Sequence, residues 1–169
     1  MRIKWIGTLI IIAGCGGIGF SFVSCYRQQM KQIRQLLAVL DLIQSELEYR
    51  RTSLPELCCL AGRSSSGAVK AVFDSLSREL DMQIAPDASC CMNAVLSFVT
   101  LSAPVRGLFY YLGKSLGRFD LTGQIRGIEA IRREGNLLLD KMSRDLDKRL
   151  QSYQTLGLCA GAAVAILLF

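Results

Sequence analysis

Cysteine is the residue best equipped for chemistry in this 169-residue chain, with seven copies at positions 15, 25, 58, 59, 90, 91 and 159. Four of them form the adjacent pairs Cys58-Cys59 and Cys90-Cys91. Neighbours on a helix point in different directions, so neither pair has the spaced C-x-x-C of a zinc ribbon or redox site. They read as small hydrophobes in a reduced compartment, with a bridge between the pairs or a soft-metal site as the alternative. Gly113-Lys114-Ser115 has the last three residues of a phosphate-binding loop, but that motif needs a glycine five residues before Gly113. Leu108 stands there, so no nucleotide site is expected. The absence of histidine excludes Ser-His-Asp and Cys-His catalysis, and with them His-bearing zinc sites. Asp120, Glu129 and Glu134 are the carboxylates an acid–base enzyme would use. No two of them are set in an apolar environment that would separate their pKa values. No catalytic, cofactor or metal residue is therefore assigned.

With no reaction to position, the elements must serve contact. Composition is uneven: 51% hydrophobic and 20% charged overall, with a net charge of +6. Trp5 to Tyr26 is 22 residues without a charge, and Leu150 to Phe169 is another 20. Residues 27–149 are 46% hydrophobic and 26% charged, as in a soluble domain. The organisation expected is an anchor over 1–26, a domain over 27–149 and an anchor over 150–169. About 20 apolar residues span the ~30 Å hydrocarbon core as a helix. The second run starts wet, at Gln151-Ser152-Tyr153-Gln154-Thr155, and its dry core is 14 residues, Leu156 to Phe169. Tyr153 is placed as an interface anchor.

Lysine and arginine set the orientation. Arg27, Lys31, Arg34, Arg132, Arg133, Lys141, Arg144, Lys148 and Arg149 flank the runs on the domain side, against Arg2 and Lys4 on the other. The domain is expected to be cytosolic. Arg2 and Lys4 followed by Ile12-Ala13-Gly14-Cys15 also resemble a lipoprotein signal, with Cys15 lipidated. The apolar run continues through Ile18, Phe20, Phe22 and Val23, which favours a spanning helix.

Within the domain the spacing predicts helices throughout. Ile33, Leu36, Leu37, Leu40, Ile43 and Leu47 recur at three and four residues on a helix continuing from the first anchor to about Arg50. Ser53-Leu54-Pro55-Glu56 predicts a helix start with a capping glutamate. Gly62 to Gly67 reads as loop, and Val69, Val72, Phe73, Leu76 and Leu80 as a third helix face. Ala85-Pro86-Asp87 opens a fourth helix carrying Cys91, Val95 and Phe98. Ser102-Ala103-Pro104 opens a fifth ending near Gly117, with Phe109-Tyr110-Tyr111-Leu112 a packed face. From Asp120, residues Leu121, Ile125, Ile128, Ile131, Leu138, Met142 and Leu146 keep helical spacing to the final anchor, with Gly135 a soft spot. The fold expected is all-α, a six-helix bundle between two terminal transmembrane helices.

Particular fragments run through the whole chain: Gly19-Phe20, Tyr26-Arg27, Gln32-Ile33-Arg34-Gln35-Leu36, Glu46-Leu47-Glu48-Tyr49 and Thr52-Ser53-Leu54-Pro55. Leu112-Gly113, Leu116-Gly117, Asp120, Gln124, Tyr153-x-x-Leu156-Gly157 and Gly161 follow. In this order the chain resembles the stage III sporulation protein AB family of endospore-forming bacteria. Ser89 departs from the tryptophan that the family often has after the alanine. The resemblance implies a cytosolic six-helix domain similar to that of the type II secretion and type IV pilus platform protein. It also implies a complex linking mother cell and forespore, an anchor in the forespore outer membrane, and the cytosolic ATPase of that complex, the AA protein, as partner.

The function expected is therefore that of a non-enzymatic scaffold, with Arg34, Glu46, Tyr49, Asp120 and Gln124 as contact or shape-setting residues. Asp120 also suits an N-cap, and Glu46 an i,i+4 pair with Arg50. The alternatives are a lipid-modified or lipid-binding adaptor, from the basic residues beside the anchors, and a membrane enzyme using Asp120, Glu129 or Glu134. Other membrane components of the complex and membrane lipid are expected partners, and nucleic acid is not.

Overall fold

The computed structural model describes the backbone of residues 2–50, 52–82, 87–116 and 120–168, and the side chains of 23–50, 52–82, 87–116 and 120–148. Among the described residues six helices follow in order: α1 (Arg2–Tyr49), α2 (Leu54–Arg63), α3 (Gly67–Asp81), α4 (Ala88–Phe98), α5 (Ala103–Ser115) and α6 (Leu121–Leu168). There is no strand among the described residues. The chain divides into two compact units, one of Gln29–Leu139 and the other of Met1–Gln28 with Asp140–Phe169. The second consists of the first part of α1 and the last part of α6. The expected anchors lie almost entirely among residues whose side chains are outside the description, as do Cys15, Tyr153 and Cys159. Among the described residues no helix is long and apolar enough to cross a membrane.

The unit Gln29–Leu139 is built on the apolar stripe of α1. Ile33, Leu36, Leu40 and Ile43 are fully buried, at the spacing that puts them on one face. Val69, Val72, Phe73 and Leu76 of α3, and Val105, Leu108, Phe109 and Leu112 of α5, join them. The Phe73 and Phe109 rings meet edge to face with centroids 5.5 Å apart, an arrangement favoured by the ring quadrupoles. Each such side chain contributes about 1.5–3 kcal/mol by leaving water.

Antiparallel pairing of α1 and α6 follows from three contacts. Gly135 faces Leu37, so that a Cβ on Gly135 would stand 2.7 Å from Leu37 Cδ2. Arg132 meets Asp41 at 3.0 Å and donates to Gln44 Oε1 at 3.3 Å. Rising numbers on α1 face falling numbers on α6. Gly135 is thus a packing contact, not the soft spot expected from helix propensity. At Gly113 the approach is closer still, because a Cβ there would lie 2.5 Å from Met92 Cβ. That contact locks α5 onto α4, and the helical backbone through Gly113-Lys114-Ser115 leaves no phosphate loop.

Other expectations change in detail. α2 continues through Gly62 and Arg63, so the loop shrinks to residues 64–66. Gly62 is buried against Asp74 of α3, and the chain turns through Gly67 at φ 60°, a left-handed conformation that suits glycine. Ser53 and Ser102 occupy N-cap positions without a side-chain capping bond. In both, the second helical residue is Pro55 or Pro104, which lacks one of the two N–H groups a cap could take. Leu80 is half-buried rather than core. Phe98 is 86% exposed, because α4 ends there and the chain leads on to α5. Ser89 donates to Asp87 Oδ2 at 2.8 Å, while Ala88, Cys91, Met92, Val95 and Leu96 carry the packing of α4.

Candidate functional site

The five described cysteines form no disulfide with one another. Cys58 and Cys91 are buried and Cys90 is exposed, so the two pairs are not bridged. Burial raises the Cys58 thiol to about 12, with the Asp81 carboxylate and then Cys59 adding to the shift. A thiol so protonated is a poor nucleophile and a poor metal ligand. Among the described residues no group of three His, Cys, Asp or Glu side chains could hold a metal ion. Asp120, Glu129 and Glu134 all stand exposed, where water solvates their charge.

Asp120 is the N-cap of α6. Its Oδ1 accepts the N–H of Gly123 at 3.1 Å, and its carbonyl accepts the N–H of Gln124 at 3.0 Å. Glu46 pairs with Arg50 at 3.8 Å and accepts from Thr52 Oγ1 at 3.1 Å, fastening the chain as it leaves α1. Tyr49 ends α1 with 84% of its surface exposed, and Gln124 is half-buried.

The α1–α6 register brings four of the five candidates to one end of this unit. Continued from Leu37/Gly135 and Asp41/Arg132, it sets Gln124 level with the last turn of α1, where Glu46 and Tyr49 stand, and Asp120 just beyond. Arg34 is exposed but lies about 22 Å back along α1, at 1.5 Å per residue.

A second surface lies between α4 and α5. Asn93, Leu96, Leu101, Arg106, Tyr110 and Tyr111 are among the residues that line an open cleft of about 660 Å³. Phe109 and Leu112 are buried, whereas Tyr110 is 39% and Tyr111 57% exposed. The expected four-residue packed face is therefore half core and half surface. The signal was available in helical spacing: residues 109 and 112 share a face that 110 and 111 do not.

A family model for stage III sporulation protein AB matches residues 4–169. The chain belongs to the stage III sporulation protein AB family. Stage III sporulation protein AB of Bacillus subtilis (strain 168) is 28% identical over 79 residues, 47% of this chain and 46% of that protein. The chain thus aligns with about half the length of this curated relative. A solved structure of a stage III sporulation protein AB superposes with a TM-score of 0.61 at 20% identity, covering 71% of this chain and 97% of that one. At that identity the likeness concerns the fold. Membership of the stage III sporulation protein AB family supports a role in sporulation.

Proposed function

We propose that this member of the stage III sporulation protein AB family is a non-enzymatic platform of a complex linking mother cell and forespore. It is held by two transmembrane anchors, 1–26 and 150–169, in the forespore outer membrane, and its helical domain faces the mother-cell cytosol. Its far end, with Tyr49 exposed and Gln124 at the same level, docks the cytosolic ATPase of the complex, the AA protein. The observation that carries this reading is the antiparallel α1–α6 pair. Within Gln29–Leu139, α1 enters and α6 leaves at one end, which supports assigning the apolar runs that continue both helices to one membrane. The nine basic residues flanking those runs on the domain side favour the cytosolic face and seat the domain on anionic lipid.

Affinity capture of the intact protein from sporulating cells tests it. The ATPase is expected to co-purify, and Tyr49→Ala together with Gln124→Ala is expected to reduce its recovery at least tenfold. Undiminished recovery with that double variant would overturn the docking end. Digestion of residues 27–149 by a protease added outside intact mother cells would overturn the topology.

A further inference from the structure

Between Asp87 and Asp120 the sequence has no carboxylate side chain, while Arg106, Lys114 and Arg118 supply positive charge. That stretch contains α4 and α5, and three of its exposed side chains, Phe98, Tyr110 and Tyr111, are aromatic. Tyr110 and Tyr111 stand edge to face with ring centroids 5.9 Å apart, and Lys114 Nζ lies 4.5 Å over the Tyr110 ring. Phe98, next to the cleft residue Ser97, is 86% exposed. Leu96 and Leu101 form a recessed apolar floor.

We propose that the α4–α5 cleft is a docking site for an acidic, apolar-anchored segment of a partner protein, separate from the Tyr49 end. Tyrosine and arginine beside an apolar floor make the composition of interface hot spots. The Lys114–Tyr110 contact holds a ring in place before binding, which lowers the ordering cost. Charge complementarity selects the partner: the cleft lining offers Arg106 and no carboxylate, so it attracts an acidic segment and repels none. A nucleic acid would require several more phosphate contacts than Arg106 and Lys114 provide. A lipid surface would take up the exposed Phe98 and Tyr111 rings but would leave the recessed floor of Leu96 and Leu101 unfilled. The cleft is open to solvent, which suits a chain segment better than a small molecule that must be enclosed.

The test uses the full chain in membranes of sporulating cells, with p-benzoylphenylalanine incorporated at position 111 or, separately, at position 49. Photocrosslinking at 111 is expected to attach a peptide of another protein with net negative charge. Arg106→Glu in the same chain is expected to cut the adduct at least tenfold, with Arg106→Lys retaining most of it. An adduct only with lipid, with a second copy of this chain or with a neutral or basic peptide would overturn the proposal. So would a yield indifferent to Arg106→Glu, or no adduct at 111. An adduct at 49 with none at 111 leaves the ATPase-docking end standing and removes the cleft, and the opposite result does the reverse.

Discussion

Arg132 of α6 meets Asp41 of α1 at 3.0 Å, with both side chains partly exposed, 40% and 57%. The pair sets the register of two helices but is open to water, where such bridges contribute at most about 1 kcal/mol. Arg132→Ala is expected to lower stability by less than ~1 kcal/mol, and salt to shrink the difference. Urea unfolding of the full chain in detergent at low and high ionic strength measures it.

Capping at Asp120 separates shape from contact. Loss of the Asp120–Gly123 bond in Asp120→Ala is expected to cost about 1 kcal/mol, whereas Asp120→Asn keeps the acceptor and most of the stability. If Asp120 acts only as a cap, Asp120→Asn also keeps ATPase recovery. The two variants are compared by unfolding and by affinity capture.

Two helical glycines are expected to behave differently when changed to alanine. Each gains about 0.8–1.0 kcal/mol of helix propensity. At Gly135 the new methyl meets the flexible end of Leu37, which can rotate away, so Gly135→Ala is expected to fall within about 1 kcal/mol of neutral. At Gly113 it meets Met92 Cβ at 2.5 Å, and Cβ cannot move without its backbone. Overpacking of that kind costs about 1–3 kcal/mol, so Gly113→Ala is expected to be net destabilising. Thermal unfolding of both variants decides it.

For Cys58 the pH dependence has a definite sign. Its folded-state thiol is raised from 9.0 to about 12, so the unfolded chain loses that proton first as pH rises. The contribution is fully present below about pH 9 and is lost progressively towards pH 12. Cys58→Ala is expected to flatten that alkaline decline, measured by unfolding between pH 8 and about 11. In the native protein, maleimide is expected to label exposed Cys90 and to spare Cys58.

Helix positions were legible in the sequence because burial imposes a period: Ile33, Leu36, Leu40 and Ile43 could occupy one face only of a helix. The starts at Leu54, Ala103 and Leu121 are legible from Ser53, Ser102 and Asp120 before them and from Pro55 and Pro104 just inside. Capping bonds were less so, since a cap residue identifies a position while its bond depends on local rotamers and on donors that proline removes. Candidate surfaces were the least legible. Apolar character alone assigns Phe98, Tyr110 and Tyr111 to the core, yet whether an aromatic side chain is covered depends on which neighbouring helix reaches it. Glu46, Tyr49, Asp120 and Gln124 are separate signals in the sequence, and their shared end emerges only from the α1–α6 register.

That register has a mechanical consequence. In the two-anchor arrangement proposed here, a partner tugging at the Tyr49 end would load α1 and α6 side by side, each drawn along its own axis in the same sense. Little force would then act to slide one helix past the other, and contacts as modest as Arg132–Asp41 would suffice to hold the seam under strain. The two helices would share the load rather than hand it from one to the other.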